Sequence, residues 1–227
     1  MTRRPIVTID GPAGAGKSTI SKLLAARLSL LCLDTGALYR AVAYRLKSAG
    51  WSGDVGAMGD LSRALTVSLR RDESGGVRVF VEGVDVSEKI RTEEMGLLAS
   101  RISALPEVRA GLLPVQRAFG AAGGIVAEGR DMGTVVFPDA EIKFFLDASP
   151  QERAKRRYAE MVCKGEKISL SDIESDMLRR DHQDRCRPIA PLVVPTDAIV
   201  VDSSSLSITQ VVDFMTSVVE RSCPGIV

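Results

Sequence analysis

Residues 11 to 18 read Gly-Pro-Ala-Gly-Ala-Gly-Lys-Ser and meet the spacing G-x-x-x-x-G-K-[ST] at every fixed position. This pattern constrains a fold tightly, because it works only between an incoming strand and an outgoing helix. Both flanks comply. Pro5-Ile6-Val7-Thr8-Ile9-Asp10 is a short β-branched run that reads as a buried strand. From Ser18 to Leu30, the residues Ile20, Leu23, Leu24, Arg27 and Leu28 recur at helical spacing. Glycines let the backbone N–H groups curl around phosphate oxygens, and the helix N-terminus adds partial positive charge. The segment Gly11, Pro12, Ala13, Gly14, Ala15, Gly16, Lys17, Ser18 and Thr19 is therefore a candidate ATP site. Lys17 is placed to reach the outer phosphates, and the Ser18 hydroxyl to bind Mg²⁺.

The rest of the chain predicts an α/β fold. A second strand is expected at 30–33, ending at Asp34, then a helix over 36–49. Two period-two stretches, Thr66–Arg70 and Val77–Val81, flank the turn Asp72-Glu73-Ser74-Gly75-Gly76 and predict a β-hairpin, with Val84–Val86 as a third strand. Helices follow over 92–104 and from Pro106 towards Gly120, and Pro114 is expected to kink or break the second. Core strands are expected at 124–128 and 140–147, charged helical sequence with Gly165 between two stretches over 150–190, a last strand at 198–202 and a helix over 207–221. Alternating strands and helices indicate a doubly wound parallel sheet flanked by helices, with a small antiparallel β insert.

Composition removes several functions. At 227 residues and a formal charge of +1, the chain has room for one sizeable core and lacks the basic excess of a general nucleic-acid binder. A single histidine, His182, argues against a Ser–His hydrolase and, with four scattered cysteines, against a zinc site. The thiols, the absence of an 18-residue apolar run and the short apolar stretch after Arg3-Arg4 make a cytoplasmic, membrane-free protein the expectation, with a monomer as default. Among the cations, 22 Arg outnumber 8 Lys, which suits two-point grips on phosphate.

Three clusters narrow the chemistry. Asp34-Thr35-Gly36-Ala37-Leu38-Tyr39-Arg40 follows the second strand, where Arg40 could hold a second phosphorylated molecule; the plainer alternative makes Thr35 a helix cap. Glu128-Gly129-Arg130-Asp131-Met132-Gly133-Thr134 follows another β-like run, with Glu128 placed to orient the water shell of Mg²⁺; it could instead be a charged turn. In Arg179 through Arg187, a helix would align Arg180, Asp184 and Arg187 on one face; a solvated helix with internal ion pairs is the alternative. Arg153, Arg156 and Arg157 share a helical face with the same ambiguity. No Asn-Lys-x-Asp segment occurs, so a GTPase is disfavoured.

Taken together, these clusters, with Ala190-Pro191-Leu192 and Ile90-Arg91-Thr92, closely resemble bacterial cytidylate kinase, a nucleoside monophosphate kinase family, nearly end to end. The resemblance implies a single domain. Its core would comprise 1–37, 116–150 and 171–227; the NMP-binding region 38–115 would carry the β insert at about 62–92, and a helical lid would span about 151–170. It implies transfer of the γ-phosphoryl of Mg-ATP to CMP or dCMP, with Lys17, Arg130 and Arg180 catalytic and Arg156 and Arg157 also on ATP. Thr35, Arg40, Ser100, Arg109, Arg130, Asp131, Arg180, Asp184 and Arg187 would bind the acceptor, with Ser100, Arg109 and Asp131 facing the cytosine. Thr35 stands where the family often has Ser, which keeps the hydroxyl. The exocyclic amine of cytosine is a donor that suits a carboxylate, whereas uracil would turn an oxygen towards it. Kinases for other acceptors, and an ATP-gated binding module, are the competing readings.

Overall fold

The strand Arg4–Asp10 (β1) is buried from residue 5 onwards, as a strand covered on both faces must be. The structure is a computed structural model that describes residues 4–51, 66–72, 76–163 and 165–225. Among these, β1 sits at the centre of a parallel sheet with Leu31–Asp34 (β2), Gly123–Gly129 (β6), Ile142–Asp147 (β7) and Ile199–Asp202 (β8), in the order β2-β6-β1-β7-β8. Register aligns the carboxyl ends: Asp10 lies opposite Gly129, and Asp34 opposite Glu128. The phosphate loop, Asp34 and Glu128 thus converge at one edge, where open α/β sheets bind ligands.

Helices cover both faces. On one side Lys17–Arg27 (α1), its C-cap Leu28 and Ile208–Ser222 (α7) bury Leu24, Leu28, Val211 and Met215 against Val7, Ile9 and Phe144. On the other, Thr35–Ser48 (α2), Glu93–Ile102 (α3) and Pro106–Gly120 (α4) pack Leu38, Leu46, Ile102 and Leu112 against Ile6 and Ile125. The hairpin forms as predicted: Val67–Arg71 (β3), Val77–Val81 (β4) and Val84–Asp85 (β5) make a separate antiparallel sheet whose Val67, Val79 and Val81 join that second core. The predicted turn residues 73–75, and the part of the 62–92 insert before residue 66, lie outside the described residues. Pro150–Cys163 (α5) and Leu170–Cys186 (α6) share a small core of Ala154, Met161, Ile173 and Met177.

Several expectations need correction. Pro114 does not break its helix; α4 runs through it. Both Pro114 and Ala110, whose carbonyl loses its partner, are exposed, so water satisfies what the missing N–H cannot. The first helix ends at Arg27 and β2 begins at Leu31, because Ser29 turns left-handed with φ of 52°. Asp34, not Thr35, caps α2 by accepting the N–H of Ala37 at 3.0 Å. Arg187 is not helical: it ends α6 in an extended conformation (φ −63°, ψ 140°), as a residue before Pro188 tends to. A π-helical turn at Met132–Val136 was not anticipated.

Candidate active site

The loop between β1 and α1 sets the geometry. Gly16 caps α1 in the left-handed region (φ 92°) without any side chain accepting the first N–H groups, so the helix end is open to an anion. Ala13 through Thr19 form one wall of a cleft of about 1380 Å³. Gly11 and Pro12 lie behind that wall, where the Pro12 carbonyl accepts the Lys17 ammonium at 2.6 Å. Burial, then the charge of Arg130, pushes the Lys17 pKa down to about 7. Glu128 is likewise buried, and burial followed by Asp34 pushes it up to about 7, while a hydrogen bond with Ser18 opposes the rise. One carboxylate oxygen of Glu128 is buried without a partner. A hydroxyl and an under-used carboxylate beside a phosphate loop are hard oxygen donors of the kind Mg²⁺ takes.

The cleft is also lined by arginines from four elements: Arg40 on α2, Arg130 after β6, Arg156 and Arg157 on α5, and Arg180 on α6, with Arg156 beside the phosphate loop, 3.5 Å from the Ala15 carbonyl. Most are held by carboxylates. Arg40 meets Asp34 at 2.8 Å, Arg130 meets Asp184 at 2.7 Å, and Arg180 meets Glu93 at 3.0 Å. Arg157 pairs with Glu93 and with Glu160. Arg156 donates to the hydroxyl and carbonyl of Ser203 at 3.0 and 2.6 Å. The cleft thus combines backbone amides and a lysine with a set of guanidiniums, enough positive charge and donors for two anionic ligands.

The residues expected to read the base form a second group. Arg109 and Arg187 both pair with Asp131, Arg187 at 3.4 Å, and all three side chains are buried behind the cleft wall. Burial raises the Asp131 carboxyl, and the two guanidiniums oppose it. Asp184 is buried beside Arg130 and Arg187. The Ser100 carbonyl accepts the side chain of Gln183 at 2.7 Å and the Ser103 hydroxyl at 2.8 Å, bonds that do not tie it to Asp131. The Thr35 hydroxyl donates to the Glu128 carbonyl at 2.7 Å, so it ties α2 to β6 and is buried off the cleft.

Three carboxylates in this machinery escaped sequence reasoning. Asp10, fully buried, accepts the N–H groups of Met132 and Gly133, each at 2.8 Å, and thereby builds the π-turn behind Asp131. Its place at the strand end before Gly11 was the available signal. Asp181 pairs at 2.6 Å with Arg153, which also donates to the carbonyl of Ala13 in the phosphate loop. Arg156 also reaches a loop carbonyl, that of Ala15 at 3.5 Å, but Arg153 parts from Arg156 and Arg157 in being buried on an acid. Glu93, next to Thr92, clasps Arg157 and Arg180, and nothing in its local sequence announces that.

A family model described as cytidylate kinase matches residues 7–221. A cytidylate kinase of Citrifermentans bemidjiense is 51% identical over 222 residues, covering 97% of this chain and 95% of its own. One from Marinomonas sp. is 48% identical, covering 93% of each chain, and one from Shewanella loihica 43%, covering 99% and 98%. Among solved structures, an uncharacterized protein from Eubacterium ventriosum superposes with a TM-score of 0.50 at 11% identity, covering 96% of this chain and 99% of that one, a likeness of fold alone.

Proposed function

The chain belongs to the cytidylate kinase family, and on that footing we infer that its cleft transfers the γ-phosphoryl group of ATP to CMP or dCMP, giving ADP and CDP or dCDP. The observation that carries the reading is the gathering of two sets of anion-binding groups in one cleft, the amide-lined loop with Lys17 and the guanidiniums of Arg40, Arg130 and Arg180. An acceptor phosphate is already ionised near neutral pH, so the reaction needs no general base. What it needs is alignment and charge neutralisation along the in-line path.

In this assignment the loop amides from Ala13 to Thr19 cradle the donor phosphates and Lys17 reaches the outermost. The anionic phosphates restore the ammonium that burial disfavours. Ser18 and, through water, Glu128 would hold Mg²⁺, which when bound neutralises phosphate oxygens. Arg156 and Arg157 approach the donor from α5. Arg40, Arg130, Arg180 and Arg187 hold the acceptor phosphate and sugar with Asp184, and Ser100, Arg109 and Asp131 read the base. Because Arg109 and Arg187 already fix the Asp131 carboxylate, its acceptor edge is preorganised for an amine donor. UMP would present oxygen there and leave buried groups unpaired.

The division of labour follows the same lines. The sheet with α1, α6 and α7 serves as core; 38–115 with its β insert binds the monophosphate; α5 and the turn after it, about 151–170, form the lid. The lid carries arginines and packs on α6 through a small core, which suits closure as a unit that excludes water. The test is ADP formation from Mg-ATP across a panel of mononucleotides. CMP and dCMP should be turned over with kcat/KM at least about a hundredfold above UMP, and equal use of all nucleotides would sink the base-reading assignment.

A further inference from the structure

Glu93 stands apart from the other acids of the cleft. Asp34 also caps α2 through the Ala37 N–H, and Asp184 is buried against Arg130 and Arg187. Glu93, the first residue of α3, has its two oxygens on two arginines of two different helices: Oε2 on Arg157 of α5 and Oε1 on Arg180 of α6. Among the described residues these are the bonds its side chain makes. A carboxylate bridging two guanidiniums occupies the place and takes the contacts that a phosphate group would take. All three side chains are 23–32% exposed. Pairs so placed are worth at most about 1 kcal/mol each, whereas a phosphate dianion makes stronger, bidentate bonds. Glu93 is therefore held firmly enough to occupy the arginines and loosely enough to be displaced.

We propose that Glu93 is the residue by which this chain discriminates its acceptor from water, clasping Arg157 together with the acceptor-side Arg180 and so withholding Arg157 from the donor phosphates until an acceptor phosphate takes its place. The proposal rests on the reading of the cleft as a phosphoryl-transfer site. Arginines that neutralise the transferring group speed attack by any nucleophile. With water, its oxygen bonds to the γ-phosphorus, the bond to the bridging oxygen of ADP breaks with its electron pair, and water's proton passes to solvent; the products are ADP and inorganic phosphate. While Glu93 holds the arginines, that reaction lacks its charge neutralisation. An acceptor phosphate competes for Arg180, displaces the carboxylate and releases Arg157 of the lid at the moment a productive nucleophile is in place. Gating of this kind belongs to α3, in the monophosphate-binding region, and acts on α5 and α6.

The experiment measures ADP release from Mg-ATP by the full chain, with and without CMP, for the unaltered protein, Glu93→Gln and Glu94→Gln. Glu94 pairs with exposed Lys47 away from the cleft and serves as control. In Glu93→Gln, acceptor-free ADP release should rise about tenfold, and the apparent KM for CMP should fall a few-fold as competition for Arg180 disappears. Glu94→Gln should match the unaltered protein. Adding Arg157→Gln to Glu93→Gln should return acceptor-free release towards the starting rate. Where Glu93→Gln fails to fold, Glu93→Asp, one carbon too short to hold both arginines, should give a smaller rise. Acceptor-free release no greater than in the unaltered protein, with CMP-dependent transfer intact, overturns the proposal. Failure of the unaltered protein to phosphorylate CMP overturns the functional reading instead.

Discussion

The carboxylate of Asp10 accepts the backbone N–H of Gly133 at 2.8 Å, joining the strand that enters the phosphate loop to the turn that follows Asp131. A second oxygen takes the N–H of Met132. A Cβ on Gly133 would sit 3.1 Å from side-chain atoms of Thr8, Lys143 and Pro195, so any larger residue would need these neighbours to give way. Donor and acceptor halves of the site are thus set against each other by one buried acid. Asp10→Ala should cost about 2–4 kcal/mol of stability by leaving two buried N–H groups unpaired, read by urea denaturation. It should also narrow the preference for CMP over UMP, because the turn that positions Asp131 loses its anchor. An unchanged CMP/UMP ratio in folded Asp10→Ala would show that the turn holds itself.

Asp131→Asn removes the charge between Arg109 and Arg187 and leaves both guanidiniums buried without it. The variant should lose about 3–5 kcal/mol of stability and at least about a hundredfold in kcat/KM for CMP, with UMP affected far less. Steady-state kinetics on both nucleotides decide it. Equal losses for the two would remove Asp131 from base reading.

Glu128 gives a pH signature. Its folded pKa lies at about 7, above the ordinary 4.5 of the unfolded chain. Between those values the folded state binds more protons, so stability falls as pH rises through the window. Asp10, pushed up by burial to about 6, adds a slope of the same sign. Glu128→Gln should therefore reduce the slope and leave the protein about 1–3 kcal/mol more stable at pH 7, while kcat drops at least about tenfold if the carboxylate orients the Mg²⁺ shell. Denaturation midpoints from pH 4.5 to 7 are the measurement. A parallel slope in the variant would place the titration elsewhere.

Two of the lid-helix arginines, Arg153 and Arg157, should separate by role. Arg153 is buried on Asp181 and on the Ala13 carbonyl, so Arg153→Met strands a buried acid and should cost about 3–5 kcal/mol. Arg157 is partly exposed, so Arg157→Gln should cost under about 1 kcal/mol yet lower kcat for CMP phosphorylation. Thermal unfolding beside turnover numbers distinguishes them, and a stability loss for Arg157→Gln matching that of Arg153→Met would contradict the division.

Much of the fold was legible because its signals are local. The loop pattern needs only neighbouring glycines, the hairpin at 66–81 needs only period-two alternation around a turn, and the helix expected over 207–221 forms as α7. The arginine-rich clusters were legible as candidates for the same reason. Misreadings arose where a local rule met a tertiary circumstance: Pro114 is tolerated because the carbonyl it orphans faces water, and Arg187 leaves the helix before a proline to reach Asp131.

The sequence by itself determined that a strand, a phosphate loop and a helix follow one another, and that Lys17 and Ser18 stand at the helix mouth. Only the tertiary structure decided which acid faces which arginine. Arg153 could not be told from Arg156 on a helical wheel, yet one is buried on Asp181 and the other rests on Ser203. Asp10 finds Gly133, and Glu93 finds Arg157 and Arg180, through the order of strands and the packing of separate helices. Such pairings join residues far apart along the chain. No local spacing encodes them, and they exist only once the parallel sheet has brought its strand ends to one edge.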